Sequence, residues 1–169
     1  MVSPGVIAKP VFRADPVSMK PLPALLVLTG ALPFLSATLS LVAGGPFHQT
    51  IAVVMLVTYA AVILSFLGGI HWGLALKIMD SAPTSASRLF VLSVLPALAA
   101  WAVLFLVADP RWQLVGMFVI LLAVWALDGL LSVQGIIPRW FFRLRSLITA
   151  IVGSCFVIAW FALSRAASG

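Results

Sequence analysis

Charge is what this sequence has least of. Only 8% of its 169 residues are Asp, Glu, Lys or Arg, and four of those are acidic. A soluble domain is about a quarter charged and about half apolar. Here 63% of the residues are hydrophobic and the mean hydropathy is +1.23. In water such a surface would associate with itself, so lipid is the expected solvent. Cysteine is nearly absent as well. Cys155 stands alone in an apolar run with no electropositive neighbour, which excludes an internal disulfide and suits a small apolar filler. Of the two histidines, His48 and His71 lie on one long apolar stretch, roughly 35 Å apart at the helical rise, so they cannot hold a haem between them. HExxH, GxSxG, Walker and CxxC motifs are all missing. The expectation is a chain that is not an enzyme, with no catalytic residues, no metal site and no cofactor.

What the sequence does have is long apolar runs. They fall at about 23–42, 51–78, 89–108, 112–131 and 147–163, four of them within the ~17 to 25 residues that cross a bilayer and the second longer, so that it is expected to tilt or project. Backbone groups in lipid must be bonded internally, so these runs are read as helices. The predicted fold is all-α, a polytopic membrane bundle of five helices in a single domain over residues 22–165. Gly44-Gly45-Pro46 ends the first run, Asp80 to Ser85 reads as a polar loop, and Asp109-Pro110-Arg111 as a tight turn. Residues 1–21 carry Pro4, Pro10, Pro16 and Pro21 beside Lys9, Arg13 and Lys20, and are expected to form a mobile cytoplasmic tail without a signal-peptide core.

The formal net charge of +6 is read as positive-inside bias rather than nucleic-acid binding. Lys9, Arg13, Lys20, Lys77, Arg88, Arg139, Arg143 and Arg145 fall on one side of a five-span topology, and Arg111 and Arg165 on the other. That predicts a cytoplasmic N-terminus and a periplasmic C-terminus. Leu32-Pro33 recurs as Leu95-Pro96, and Met55–Gly73 aligns loosely with Met117–Gly135, which hints at a parallel internal repeat.

A few residues stand out within the spans. Asp128 is the acid well inside a run, where a carboxylate costs about 2.5 to 3.5 kcal/mol on insertion scales. His71 lies at a similar depth on a helix running the same way, so the two meet if their helices are adjacent. Such a pair serves equally as a buried staple or as a proton-handling site. Tyr59, earlier on the same helix as His71, completes the candidate intramembrane polar site. Ser65, Gly69 and Gly73, four apart with Gly68 beside them, form a small-residue ribbon suited to close helix packing. His71 projects about 200° from Gly69 on the wheel, so the ribbon is expected to pack while the opposite face presents the imidazole. Pro33 and Pro96 are expected to kink the first and third helices. Arg139, Trp140, Arg143 and Arg145 alternate basic and aromatic character and read as an interfacial, lipid-facing segment.

The run from Tyr59 to Gly73, containing Gly68-Gly69-Ile70-His71-Trp72-Gly73, resembles the most distinctive motif of the transmembrane protein 69-like family, also called domain of unknown function 3429. Asp128, Gly135, Pro138, Trp140 and Arg143-Leu144-Arg145 are similar to its second motif. Ala60 stands where that family often has Gly, and Phe141-Phe142 where Tyr-Leu is common. The resemblance covers nearly the whole chain after the tail. It implies a small multi-pass protein of bacterial inner membranes and mitochondria, and no activity or catalytic residue. Three functions remain open at this level. The first is an accessory or assembly subunit against a larger energy-transducing complex, with a membrane-protein partner or a second copy of itself. The second is a proton-coupled carrier using His71 and Asp128. The third is a quinone- or lipid-binding protein.

Overall fold

In the computed structural model, residues 21–166 are described. They form α1 (Pro21–Thr29), α2 (Leu32–Ala43), α3 (Pro46–Ile78), α4 (Pro83–Leu106), α5 (Pro110–Val133) and α6 (Arg139–Ala166), with no strand among them. The expected tail lies outside the described residues, apart from Pro21.

Five helical segments are long and apolar enough to cross a membrane: Leu22–Ala43, Phe47–Ile78, Pro83–Leu106, Pro110–Val133 and Arg139–Arg165. The first is not one continuous helix. It breaks at Gly30-Ala31, and Pro33 sits in the first turn of α2 rather than inside a helix. Proline has no N–H to give the preceding turn but suits the first turn of a new one. The Tyr59 hydroxyl donates to the Gly30 carbonyl at 3.1 Å, so α3 supplies a donor at the break. Pro96, by contrast, is buried in the middle of α4.

The helices begin earlier than hydropathy alone suggests, because prolines start them. Pro46, Pro83 and Pro110 lie in the first turns of α3, α4 and α5, where the missing N–H costs nothing. The expected loop through Ser85 therefore ends at Ala82. Asp109 caps α5, accepting from the Arg111 backbone N–H at 2.8 Å, and its carboxylate also pairs with the Arg111 guanidinium at 2.8 Å. That pairing holds the Asp109 carboxyl below the usual carboxylate range. Across the same turn, the Gln113 amide donates to the Val107 carbonyl at 2.7 Å, satisfying the end of α4.

The fifth span departs most from expectation. Arg139 onward is not a separate interfacial segment but the first two turns of α6. The chain reaches it through a Schellman closure. Gly135, at φ +75°, donates to Ser132 O, and Ile136 N–H reaches Leu131 O at 2.9 Å. Pro138 follows, and its carbonyl accepts the first bonds of α6 from Phe141 and Phe142. Glycine is required at 135 because the left-handed region is costly for any residue with a Cβ.

The core lies where α2, α3, α5 and α6 converge, around Phe34, Leu56, Leu64, Met117, Val152 and Phe156. The expected packing ribbon on α3 needs correction. Ser65, Gly69 and Gly73 are exposed, and a Cβ at Gly69 or Gly73 would meet nothing within 4 Å. The close approach is made by Gly68, buried against α4, where a Cβ would stand 2.2 Å from the Ser93 carbonyl oxygen. Leu64, Gly68, His71 and Ala75 follow helical spacing and are all buried, so the imidazole sits on the packed face and the ribbon on the outer one.

Gly68→Ala is expected to lower stability by about 1 to 3 kcal/mol, the usual cost of overpacking. Gly69→Ala and Gly73→Ala should stay within about 0.5 kcal/mol of the parent. Thermal unfolding of the three variants in mild detergent checks this. Equal losses in all three would contradict the assignment of the packed face.

A buried carboxylate shared by a histidine and an arginine

The Schellman turn sets α5 and α6 antiparallel, and this decides where their polar residues meet. Asp128 lies five residues before the end of α5, and Arg145 six residues after the start of α6. At about 1.5 Å per residue the two stand at nearly equal depth from the turn. His71 lies seven residues before the end of α3, which brings it to the same level.

The three side chains converge. His71 Nε2 is 2.8 Å from Asp128 Oδ1, and Arg145 Nε donates to Asp128 Oδ2 at 3.0 Å. All three residues are at least 95% buried (1%, 3% and 5% exposed). One carboxylate thus ties α3, α5 and α6 together, using one oxygen for each neighbour. Around it, Trp125 Nε1 donates to Ser146 Oγ at 2.9 Å, Ser146 donates to the Phe142 carbonyl at 2.9 Å, and the Trp125 and Phe142 rings stack at 5.8 Å. These contacts fix the α5–α6 register beside the ion pair.

The structure therefore brings His71 and Asp128 together and adds Arg145, which the sequence placed among lipid-facing arginines. That expectation is corrected for Arg145. Arg139 and Arg143 remain exposed, and Trp140 is half-buried with its ring edge-on to Phe141. The signal for Arg145 was available: in a continuous helix it lies four residues from Phe141 and Thr149, both on the inward side. It was masked by reading Arg139, Trp140, Arg143 and Arg145 as an interfacial segment ahead of the fifth span. Tyr59 does not join the cluster, because its hydroxyl is engaged at Gly30.

A second feature lies beside the triad. A cavity of about 200 Å³ is bounded by α1, α2, α3, α5 and α6, with walls that include Phe34, Leu67, Met117, Phe141, Arg145 and Thr149. His71 and Asp128 do not line it. The cavity is apolar except where Arg145 and Thr149 reach it, one helical turn apart. Arg145 Nη2 and Thr149 Oγ1 are buried with no hydrogen-bond partner among the described residues. His71 Nδ1 is likewise buried and without one.

Removing a single member of a buried ion pair costs about 3 to 5 kcal/mol, whereas replacing the whole set with apolar groups is often neutral. Asp128→Leu should therefore destabilise strongly. Combining it with His71→Leu and Arg145→Met should recover most of the loss, as read by detergent unfolding. A triple variant no more stable than Asp128→Leu would show that the carboxylate is not the group that makes the other two tolerable.

Comparison with known proteins agrees with this architecture. The family described as "Protein of unknown function (DUF3429)" matches residues 19–161. Transmembrane protein 69 of Xenopus tropicalis is 36% identical over 133 residues, covering 78% of this chain. The chain spans about half the length of that relative, 51%. No solved structure matches. With a family match across most of the chain and five helices fit to cross a bilayer, this multi-pass membrane protein belongs to the DUF3429 family and is similar to transmembrane protein 69.

Proposed function

We propose that the protein is a non-enzymatic binding protein of the bilayer, holding an amphipathic molecule drawn from the lipid phase in the cavity beside α6. The observation that carries this reading is an otherwise apolar cavity of about 200 Å³ lined by Arg145 and Thr149, each of which also buries a polar atom without a hydrogen-bond partner among the described residues. A buried donor left unsatisfied costs about 1 to 3 kcal/mol, and more when charged. A ligand that brings a polar group to these two side chains and a hydrocarbon portion to the remaining walls suits such a cavity. Ligand sites of this kind are apolar clefts with one or two placed polar groups.

Access from the membrane is short. Leu26 on α1 and Phe66 on α3 line the cavity and are also more than 60% exposed on the outer surface. The break at Gly30-Ala31 makes α1 a separate short helix over this opening. The carrier reading asks for a polar cavity at His71 and Asp128, whereas the cavity beside them touches neither. Arg145 is already engaged by Asp128, which suits a fixed anchor better than a group that moves with cargo.

One observation favours a second reading, an accessory subunit that packs against another membrane protein. Ser65, Gly69 and Gly73 line up on the outer face of α3 with open space above the glycines. Close helix contact uses such surfaces.

The binding reading predicts that protein extracted from native membranes in mild detergent retains a lipid-soluble molecule visible by native mass spectrometry. Ala60→Leu, which fills the cavity from α3, should abolish that adduct without unfolding the protein. Retention of the same adduct by the filled variant would place the molecule elsewhere. The accessory reading predicts that Gly69→Leu removes a copurifying membrane protein, or self-association, while leaving thermal stability unchanged. An unchanged set of copurifying proteins would count against it.

A further inference from the structure

A second cavity, of about 220 Å³, lies away from the first, on the seam between α4 and α5. Two helical stripes form its walls. Ser85, Arg88 and Leu92 follow one another at helical spacing on α4, as Leu127, Leu130 and Gln134 do along α5. The Asp109 turn makes these helices antiparallel, so the start of α4 stands beside the end of α5. Ser85, Arg88 and Gln134 therefore gather at one end of the cavity, and the leucines run from there into the span. From Ser85 to Leu92, and from Gln134 to Leu127, is about 10 Å at the helical rise.

The polar end is open and its side chains are uncommitted. Ser85, Arg88 and Gln134 are exposed, and none makes a side-chain hydrogen bond or ion pair among the described residues. No carboxylate lines the cavity. At this end of the bundle Lys77, Arg88, Arg139 and Arg143 stand against one exposed acid among the described residues, Asp80 in the turn between α3 and α4. The depth of these groups also matters. Each of the two helices has 24 residues, about 36 Å at the helical rise, against a hydrocarbon core of about 30 Å. Ser85 and Gln134 therefore stand at head-group level, and Arg88, one turn deeper, reaches it with its long side chain. Leu92 and Leu127 lie at acyl depth. Polarity thus changes along the membrane normal in the same sense as in a phospholipid of that leaflet.

We propose that this seam binds an anionic phospholipid, its phosphodiester held by Arg88 with Ser85 and Gln134, and one acyl chain lying over Leu92, Leu127 and Leu130. The guanidinium fork matches two phosphate oxygens. The hydroxyl and the amide approach from two different helices, which suits a tetrahedral group better than a flat carboxylate. Oxygens that the protein does not hold stay hydrated at the open end. Leu92 and Leu130 are 40% and 62% exposed, so the chain reaches the groove directly from lipid. A zwitterionic head group would bring its ammonium into a cluster of basic residues, which disfavours it. The seam shares no lining residue with the cavity beside α6 and is independent of the binding reading above.

The test uses the full chain in mild detergent, stripped of endogenous lipid. It is titrated in separate arms with dioleoyl phosphatidylglycerol, dioleoyl phosphatidylcholine, oleate and glycerol 3-phosphate. Bound fractions are read by native mass spectrometry, and folding by thermal unfolding. Phosphatidylglycerol is expected to bind about tenfold more tightly than any other probe. Arg88→Gln should weaken it about tenfold, the equivalent of one lost charged hydrogen bond. The unfolding temperature should not change, because that side chain has no partner to lose. Arg139→Gln removes the same charge from the same end without touching the cavity, and should weaken binding less than about threefold. Leu130→Trp, which fills the groove from its exposed wall, should act like Arg88→Gln. The Arg88→Gln effect should persist in Ala60→Leu; its disappearance there would assign the lipid to the cavity beside α6 and overturn the inference. Equal losses from Arg88→Gln and Arg139→Gln would reduce the site to general surface charge. Phosphatidylcholine binding as tightly as phosphatidylglycerol would overturn the charge preference, and oleate doing so would overturn the phosphate assignment. Equal binding of glycerol 3-phosphate would place the ligand in solution rather than in the bilayer. No binding of phosphatidylglycerol at all would overturn the proposal outright.

Discussion

Everything at the centre of this bundle depends on one carboxylate. Asp128 is buried at a depth where an isolated charge is expensive, and it is tolerable because each of its oxygens has a donor. The arrangement is reciprocal. His71 and Arg145 are also buried, and Arg145 would be the costliest of the three without its partner. Because the three residues come from α3, α5 and α6, satisfying them fixes how those helices slide past one another. Hydrophobic contact between helices gives little such register in lipid, where side chains and solvent are equally apolar.

The same constraint explains the unequal state of the polar atoms nearby. Asp128 takes one hydrogen bond with each of the two basic side chains, and their other nitrogens depend on acceptors elsewhere. Nη2 of Arg145 and Nδ1 of His71 are buried and unpartnered among the described residues. Of these, Nη2 belongs to a residue that borders the cavity, with the Thr149 hydroxyl one turn farther along α6. The ion pair thus holds the Arg145 side chain beside an apolar space.

Part of the site was legible as arithmetic on the sequence. His71 and Asp128 are similar distances from the ends of two helices that run in the same direction, and that placed them at one level. Arg145 was hidden because residues 134–145 carry too much charge and aromatic character to look like a membrane span. A Schellman turn at Gly135 starts a helix there regardless, and helical spacing then carries Arg145 inward while Arg139 and Arg143 stay exposed. The glycine ribbon misled for a related reason. A small-residue stripe tells which helix face permits close approach, but not whether a neighbour occupies it. Here Gly68, one position away, meets Ser93 of α4, and the stripe itself faces outward.

The sequence by itself determined the solvent, the number of crossings and the family. These follow from composition, run length and a local motif, all of which survive whatever the helices do relative to one another. Tertiary structure alone decided which face of α3 is packed, that Arg145 belongs to Asp128 rather than to lipid, and that an apolar cavity opens beside them. Those are properties of helix rotation and adjacency. A chain apolar on nearly every face gives no hydrophobic stripe from which to read rotation, so the few polar groups that must find partners in lipid set it instead.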